Sequence, residues 1–235
     1  MRNRVLNGMW IVGLFILIFD FSIVNGQVGK VGLEDKLPVE ISASKGTRSD
    51  LIVYLTGDGG WNRFSRTFMN EFERQGYGVV SLNSYEYFKD KKSPSVLARD
   101  IGTISTDYLK EWNKTSLIIV GYSFGADVAS FLPGYLSAQL KGKVKKIALL
   151  SPSASTDFVV RITDLLGFGD NENGEYKVKP QIEETKLPMV CIFGKNEALL
   201  LKKSLENNDL ISVYELPGGH HFDDNFDGLI HIITS

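Results

Sequence analysis

The chain of 235 residues is poor in cysteine and histidine. Its one cysteine, Cys191, excludes an intramolecular disulfide and a zinc site built from several thiolates. The three histidines are His220, His221 and His231, so an imidazole needed for chemistry has to come from the last sixteen residues. The chain also has no H-E-x-x-H sequence, and the pattern of residues predicts neither a metal nor a cofactor.

An excess of charge of either sign is absent as well. Lys and Arg number 26 against 28 Asp and Glu, which gives a formal net charge of −2 at pH 7. This balance predicts no nucleic-acid partner. Hydrophobic residues make up 43% and charged residues 23%, which excludes a disordered chain, and the length favours one domain.

A long hydrophobic run is the third absence. Met9–Phe19 is apolar over eleven residues, whereas a membrane-spanning helix needs about 20. Arg2 and Arg4 precede this run, as in the positive start of a signal peptide. The sequence therefore predicts a signal peptide over residues 1–26 and an exported chain over 27–235. The lack of disulfides favours a bacterial periplasm, and an uncleaved signal anchor is the alternative.

Short apolar runs alternate with helical patterns in the rest of the chain. Continuous apolar strands separated by helices predict an α/β fold with a mostly parallel sheet covered on both faces. A stretch at 153–187 is predicted to be an inserted loop or a small cap. The predicted strands are 51–55, 79–82, 117–120, 147–150, 190–193 and 211–216, and the predicted helices are 64–75, 97–112, 124–132 and 223–233.

Ligands of such sheets bind at the carboxyl ends of the strands, and one strand end carries a known pattern. Gly121-Tyr-Ser-Phe-Gly125 follows a predicted strand and precedes a predicted helix. That strand–turn–helix context is typical of a nucleophile elbow, in which a serine is presented at the edge of the sheet. Ser123 is therefore the predicted nucleophile. The N–H of Phe124, at the helix start, is a candidate donor to a developing oxyanion.

A second strand end carries the glycine turn Thr56–Trp61. We expect the backbone N–H of Asp58 to be the other oxyanion donor, with Gly59 as the fallback. The Asp58 carboxylate could bind a cationic group of the substrate or cap the following helix. Asp127, one helical turn beyond the serine, is a second candidate for that substrate contact, and a buried structural hydrogen bond is its alternative role.

The base and its acidic partner are sought at the last two strand ends. Glu197 follows a predicted strand, and the histidine pair follows the final one. The chain order Ser123, Glu197, His221 is the serine–acid–histidine order of α/β-hydrolases. We expect His221 to be the base because a phenylalanine, a polar turn and a closing helix follow it. His220 is the alternative, and His231 is predicted to lie at the surface or to pack.

Five motifs of the chain occur together, and they are Gly57-Asp-Gly-Gly-Trp61, Tyr87-Phe88 with Pro94, Gly121-Tyr-Ser-Phe-Gly-Ala-Asp127, Cys191-Ile-Phe-Gly194 and Leu216-Pro-Gly-Gly-His-His-Phe222. With these motifs the chain resembles the bacterial virulence protein family of VirJ and AcvB over residues 50–234. The resemblance implies an α/β-hydrolase fold and export to the periplasm. Its AcvB branch implies hydrolysis of lysyl-phosphatidylglycerol, and its VirJ branch implies assistance to type IV secretion. It places the nucleophile on Ser123 and the histidine motif on His220 and His221.

The sequence thus predicts a periplasmic serine hydrolase that cleaves a carboxylic ester through a Ser–Glu–His triad. The expected substrate is a small or lipid-headgroup ester, above all an aminoacyl ester such as lysyl-phosphatidylglycerol. Contact with a membrane surface and with secretion-system proteins follows from the resemblance. Two alternatives stay open: a non-catalytic periplasmic accessory protein, and an esterase or acyltransferase acting on another ester.

Overall fold

The computed structural model describes residues 37–43, 46–160 and 172–235. The predicted signal peptide over 1–26 lies outside these residues. Within them, no helix has the length and apolar character needed to cross a membrane.

The strands of the described chain are β1 (Val39–Ser42), β2 (Asp50–Leu55), β3 (Gly78–Leu82), β4 (Ser116–Tyr122), β5 (Val144–Leu150), β6 (Ser155–Thr156), β7 (Tyr176–Lys177), β8 (Met189–Gly194) and β9 (Ile211–Leu216). Seven of them form the central sheet, in the order β1-β3-β2-β4-β5-β8-β9. All neighbouring strands of this sheet are parallel except β1, which runs antiparallel to β3. The six predicted strands are present, and β1 was missed because this short edge strand is only half-buried.

The central strands are mainly apolar because both faces of the sheet are covered. In β2, Leu51, Val53 and Leu55 belong to one hydrophobic core. Ile52 and Tyr54 point the other way and belong to a second core, as the two-residue period of a strand requires. The sheet is therefore the middle layer of three.

Helices form the two outer layers. They are α1 (Arg63–Arg74), α2 (Ser84–Tyr87), α3 (Pro94–Glu111), α4 (Phe124–Ala129), α5 (Leu132–Tyr135), α6 (Ala138–Lys141), α7 (Val178–Glu183), α8 (Leu200–Ser204) and α9 (Phe226–Thr234). The second core contains the buried faces of α1 and α9, and the first core contains the buried face of α3. The Asn62 side chain caps α1 by accepting from the Ser65 N–H, and the Ser93 side chain caps α3 by accepting from the Val96 N–H.

Two predicted helices differ from the observed ones. The helix predicted over 124–132 is divided into α4 and α5. The closing helix predicted over 223–233 begins only at Phe226, because Phe222–Asp224 form a 3-10 turn with left-handed backbone angles.

The predicted insertion at 153–187 is described except for residues 161–171. Its described ends contribute the antiparallel pair β6–β7 and helix α7. Phe158 is fully buried in the same core as α3. The described part of the insertion therefore packs onto the main body rather than forming a core of its own.

Candidate active site

The turn between β4 and α4, residues Gly121–Gly125, is called the elbow below. Ser123 lies at its tip with φ 54° and ψ −124°, a left-handed backbone conformation that residues other than glycine rarely adopt. A Cβ atom on Gly121 would collide with the Gly125 carbonyl, and one on Gly125 would collide with the backbone of Leu55. The two glycines therefore allow the close backbone approach that holds the serine in its strained position.

A hydrogen-bonded chain of three side chains begins at this serine. The Ser123 Oγ lies 2.9 Å from His220 Nε2, and His220 Nδ1 lies 2.7 Å from Glu197 Oε1. Because the Nδ1–H donates to the carboxylate, Nε2 can accept the serine proton. The structure thus brings together residues that are up to 97 positions apart in the chain.

The prediction that His221 is the base is wrong for this structure, and its neighbour His220 occupies that position. The His221 ring stacks on Phe64 at 5.4 Å instead. Adjacent side chains on this turn diverge, and the turn is shaped by left-handed angles at Phe222–Asp224. No residue type indicates those angles in advance, since none of the three residues is glycine.

The acidic residue is held by three hydrogen bonds. Besides His220, Glu197 accepts from the Ser151 hydroxyl at 2.8 Å and from the Gly194 N–H at 2.6 Å. Burial favours the neutral form of Glu197, but these donors outweigh it and hold its pKa below the usual range. The carboxylate is therefore ionised at neutral pH and fixed in orientation.

Ser151 was not singled out from the sequence. It ends the buried run of β5, is 1% exposed, and has a positive φ of 51°. Its hydroxyl is one of the donors that orient Glu197. The sequence signal that could have found it is a polar residue directly after an apolar strand that neighbours the strand of the acid.

Two backbone hydrogen bonds join the acid to the histidine. The Lys195 N–H donates to the Leu216 carbonyl at 2.8 Å, and the Asn196 N–H donates to the Gly218 carbonyl at 2.9 Å. The segment that carries Glu197 is thereby tied to the last residue of β9 and to Pro217–Asn225, which we call the histidine loop.

Tyr122 was also missed. Its hydroxyl donates to the His220 carbonyl at 3.2 Å, and its ring stacks on Phe64 at 4.4 Å. Burial raises the pKa of the Tyr122 hydroxyl well above its usual range, and the nearby carboxylates of Glu197 and Asp58 add to the effect. Tyr122 thus remains a neutral donor that anchors the histidine loop to the residue before the nucleophile.

The expected oxyanion donors lie on both sides of the serine. Phe124 is the first residue of α4, where an N–H has no carbonyl of its own helix to bond. A Cβ on Gly57 would lie 3.3 Å from the Ser123 Cβ, so the glycine turn passes close to the nucleophile. Asp58 follows in that turn and is half-buried, whereas the fallback Gly59 is exposed.

Asp127 does not fit the predicted contact with substrate. It is 4% exposed, and its Oδ1 accepts the Ser153 N–H at 2.6 Å. The carboxylate therefore ties α4 to the start of the insertion, which is the structural alternative considered for it. The substrate contact predicted for Asp127 is corrected on this ground.

Two other candidate groups lie outside the chemistry of this site. Burial raises the pKa of the Cys191 thiol to about 12, so it stays protonated and unreactive. His231 is exposed on α9, as predicted. Over residues 37–43, 46–160 and 172–235, no three His, Cys, Asp or Glu side chains are grouped so that they could hold a metal.

Comparison with solved structures identifies the fold. A hydrolase from Oleispira antarctica matches with a TM-score of 0.60 at 14% identity, over 86% of this chain and 96% of its own. MenH from S. aureus matches with 0.58 at 16% identity, over 83% and 97%. Est1E from Butyrivibrio proteoclasticus matches with 0.54 at 15% identity, over 83% and 89%. The chain has the α/β-hydrolase fold, as predicted.

Sequence comparison identifies the family. No curated protein matches the chain. The sequence profile of VirJ, described as a bacterial virulence protein, matches residues 49–235, which include the elbow, Glu197 and the histidine loop. The chain therefore belongs to the VirJ family of bacterial virulence proteins.

Proposed function

We propose that the protein is a serine hydrolase that cleaves carboxylic esters. The hydrogen-bonded chain from Ser123 through His220 to Glu197 carries this proposal. A serine hydroxyl is a weak nucleophile unless an adjacent base takes its proton. The hydrogen-bond distances from Ser123 to His220 and from His220 to Glu197 meet that requirement.

The reaction takes place in two steps. The Ser123 Oγ attacks the ester carbonyl carbon while its proton passes to His220 Nε2, and Glu197 stabilises the resulting imidazolium. The tetrahedral intermediate breaks its bond to the alcohol, which leaves with the proton from His220. A water then gives a proton to His220 and attacks the carbonyl carbon of the acyl group on Ser123. The second tetrahedral intermediate breaks its bond to the Ser123 Oγ, which takes the proton back from His220, and the acid is released.

Developing negative charge on the carbonyl oxygen needs donors that are already in place. The N–H groups of Phe124 and Asp58 are the candidates, and loss of one such donor in a serine protease costs about 2.7–4 kcal/mol of activation free energy. The proximity of the glycine turn to Ser123 supports this assignment.

The finer proposal is that the acyl group is an aminoacyl group, as in lysyl-phosphatidylglycerol. The half-buried Asp58 carboxylate lies at the glycine turn and acts electrostatically on Tyr122, the residue before the nucleophile. A fixed negative charge at this place would favour a cationic acyl group. In that case the protein works on the outer side of a cytoplasmic membrane, in contact with its surface, after export to the periplasm.

A fluorophosphonate probe tests the catalytic proposal directly. We expect covalent labelling at Ser123 in the folded protein, no labelling of Ser123→Ala, and full labelling of His231→Ala, which alters an exposed histidine outside the site. Absence of labelling in the folded wild-type protein would favour a non-catalytic accessory protein that has kept the fold.

A pair of esters tests the acyl group. Lysine methyl ester carries positive charge, and its doubly N-acetylated form does not. We expect the ratio of their kcat/KM values to favour the charged ester, and Asp58→Asn to lower that ratio. A ratio that Asp58→Asn leaves unchanged would contradict the aminoacyl assignment. A strain that lacks the protein should also accumulate aminoacyl-phosphatidylglycerol in its lipid extract.

A further inference from the structure

A cavity of about 330 Å³ lies between the start of α1 and the histidine loop. Its volume is at the lower end of the range for small-molecule sites. The rings of Phe64 and Phe226, 5.2 Å apart, give it apolar walls. The lining residues are Asn62, Arg63, Phe64, Thr67, His221, Asp224 and Phe226.

His221, which the triad does not use, lines this cavity. Its ring is stacked on Phe64, which in turn is stacked on Tyr122. Within the described part of the chain, the contacts of the His221 ring are with aromatic rings. Its nitrogens are therefore available to a ligand in the cavity.

An exposed cation lies in the same lining. The Arg63 side chain is 91% exposed, and its guanidinium lies 3.8 Å from the Asp224 carboxylate, itself 55% exposed. Such a distant, solvated pair contributes little. Arg63 can exchange this partner for an anionic group of a ligand, to which it can donate two parallel hydrogen bonds.

The catalytic geometry assigns this cavity to one side of the ester. The leaving alcohol takes its proton from His220 Nε2 and so departs on the histidine side of the site. His221, whose ring centroid lies 6.1 Å from that of His220, lines the cavity on that side. Asp58 and Phe124, the candidate oxyanion donors, belong to the glycine turn and the elbow instead.

We propose that this cavity binds the leaving alcohol and selects alcohols that combine an apolar body with an anionic group. Phe64 and Phe226 contact the body, and Arg63 with His221 binds the anion, either a carboxylate or a phosphate. The inference rests on the proposed ester hydrolysis and adds the alcohol side to it.

Two acetyl esters test the charge preference. The acetyl ester of 4-hydroxybenzoate has an anionic leaving group, and the acetyl ester of 4-hydroxybenzamide has a neutral one. The ratio of their kcat/KM values is compared between variants, so that the different reactivity of the two phenols cancels. We expect Arg63→Gln to lower the anionic-to-neutral ratio about fivefold, the upper range for one exposed charge pair. Asp224→Asn should raise it about twofold, because Arg63 loses a competing partner.

Arg66→Gln is the matched control, since Arg66 also lies on α1 but pairs with Glu40 and stacks on Trp61 outside the cavity. It should leave the ratio unchanged. A second test fills the cavity and does not depend on charge. Thr67→Trp should lower kcat/KM for the aryl esters more than for methyl acetate. Thr67→Val is its control and should change kcat/KM for the aryl esters and for methyl acetate by the same factor.

The outcomes separate the two proposals. If the wild-type protein hydrolyses neither aryl ester and is not labelled at Ser123, the proposed function fails. If it hydrolyses both, but Arg63→Gln and Asp224→Asn leave the ratio unchanged and Thr67→Trp affects all esters equally, the alcohol site is overturned while the hydrolase remains. Inhibition by inorganic phosphate that Arg63→Gln weakens would identify phosphate as an accepted anion.

Discussion

The elbow and the histidine loop both hold a side chain of the proposed triad at the end of a strand, but they do so by different means. In the elbow, glycines at both ends permit a close approach of backbone segments, and only Ser123 adopts a left-handed angle. In the histidine loop, one left-handed angle falls on Gly218, but three more fall on Phe222, Asp223 and Asp224, none of which is a glycine.

The backbone conformation of the elbow therefore depends on residue type, whereas that of the histidine loop depends largely on the surrounding contacts. Glycine marks the elbow because no other residue fits where a Cβ would meet backbone. A run of three left-handed residues has a cost of about 1–3 kcal/mol each. It persists because the surroundings fix the loop, through the burial of Phe222 and the hydrogen bonds to Tyr122 and Asn196.

The largest expected effect concerns the two histidines. We expect His220→Ala to lower kcat about 10⁴-fold or more, as loss of the base does in other triads, and His221→Ala to lower it less than tenfold and to act more on KM. Ester hydrolysis by purified variants checks this, with His231→Ala as the control. A greater loss of kcat from His221→Ala would mean that the loop rearranges when substrate binds.

The next effect tests the glycines of the elbow. Gly125→Ala should destabilise the protein by about 3 kcal/mol or prevent folding, because the added Cβ meets the backbone at the end of β2. Gly134→Ala is its control, since a Cβ there meets nothing within 4 Å, and this change should be neutral or stabilise α5 by up to about 1 kcal/mol. Urea unfolding of the two variants measures both, and equal stabilities would contradict the argument.

The contrast also explains which features could be predicted from the sequence. The buried strands were predicted because their apolar runs have few polar interruptions, and Ser123 was singled out because its glycines and its strand–turn–helix context are local. Glu197 was singled out because the chain order of a triad limits the choice to a strand end. Apart from that chain order, each of these signals lies within a few residues of the feature it marks.

The features that were missed depend on contacts between distant segments. The choice between His220 and His221 depends on angles that the surroundings impose on the following turn. Ser151 approaches Glu197 across 46 positions, and Asp127 accepts from Ser153 across 26. No pattern in one sequence indicates that these pairs meet, so the supporting contacts of the triad were not predictable.

Ser151 offers a test of intermediate size. Ser151→Ala removes a donor to Glu197, so the lowered pKa of that carboxyl should return upward and kcat should fall about tenfold. The lowered pKa contributes stability that is present above the ordinary carboxyl pKa and is lost as the pH falls through the lowered value. The variant should therefore lose less of its unfolding free energy between about pH 5 and pH 3 than the wild type.

Urea unfolding at several pH values measures this, together with kcat of the purified variant at neutral pH. Ser151→Thr keeps a hydroxyl and should restore both properties in part. A kcat and a pH dependence of stability that both stay as in the wild type would reduce Ser151 to a packing residue.

The smallest effect is expected at Asp223, an exposed residue with a φ of 50°. Asp223→Gly removes the steric cost of the left-handed angle but increases the freedom of the unfolded chain, so the two changes offset one another within about 0.5–1 kcal/mol. Asp223→Val places a β-branched side chain at the same angle and should destabilise by about 1–3 kcal/mol. If the histidine loop is held by its surroundings, the valine variant should also lose activity, because relief of the strain would move His220 away from Ser123. A valine variant as stable and as active as the glycine variant would show that the loop yields without cost, and the contrast with the elbow would then fail.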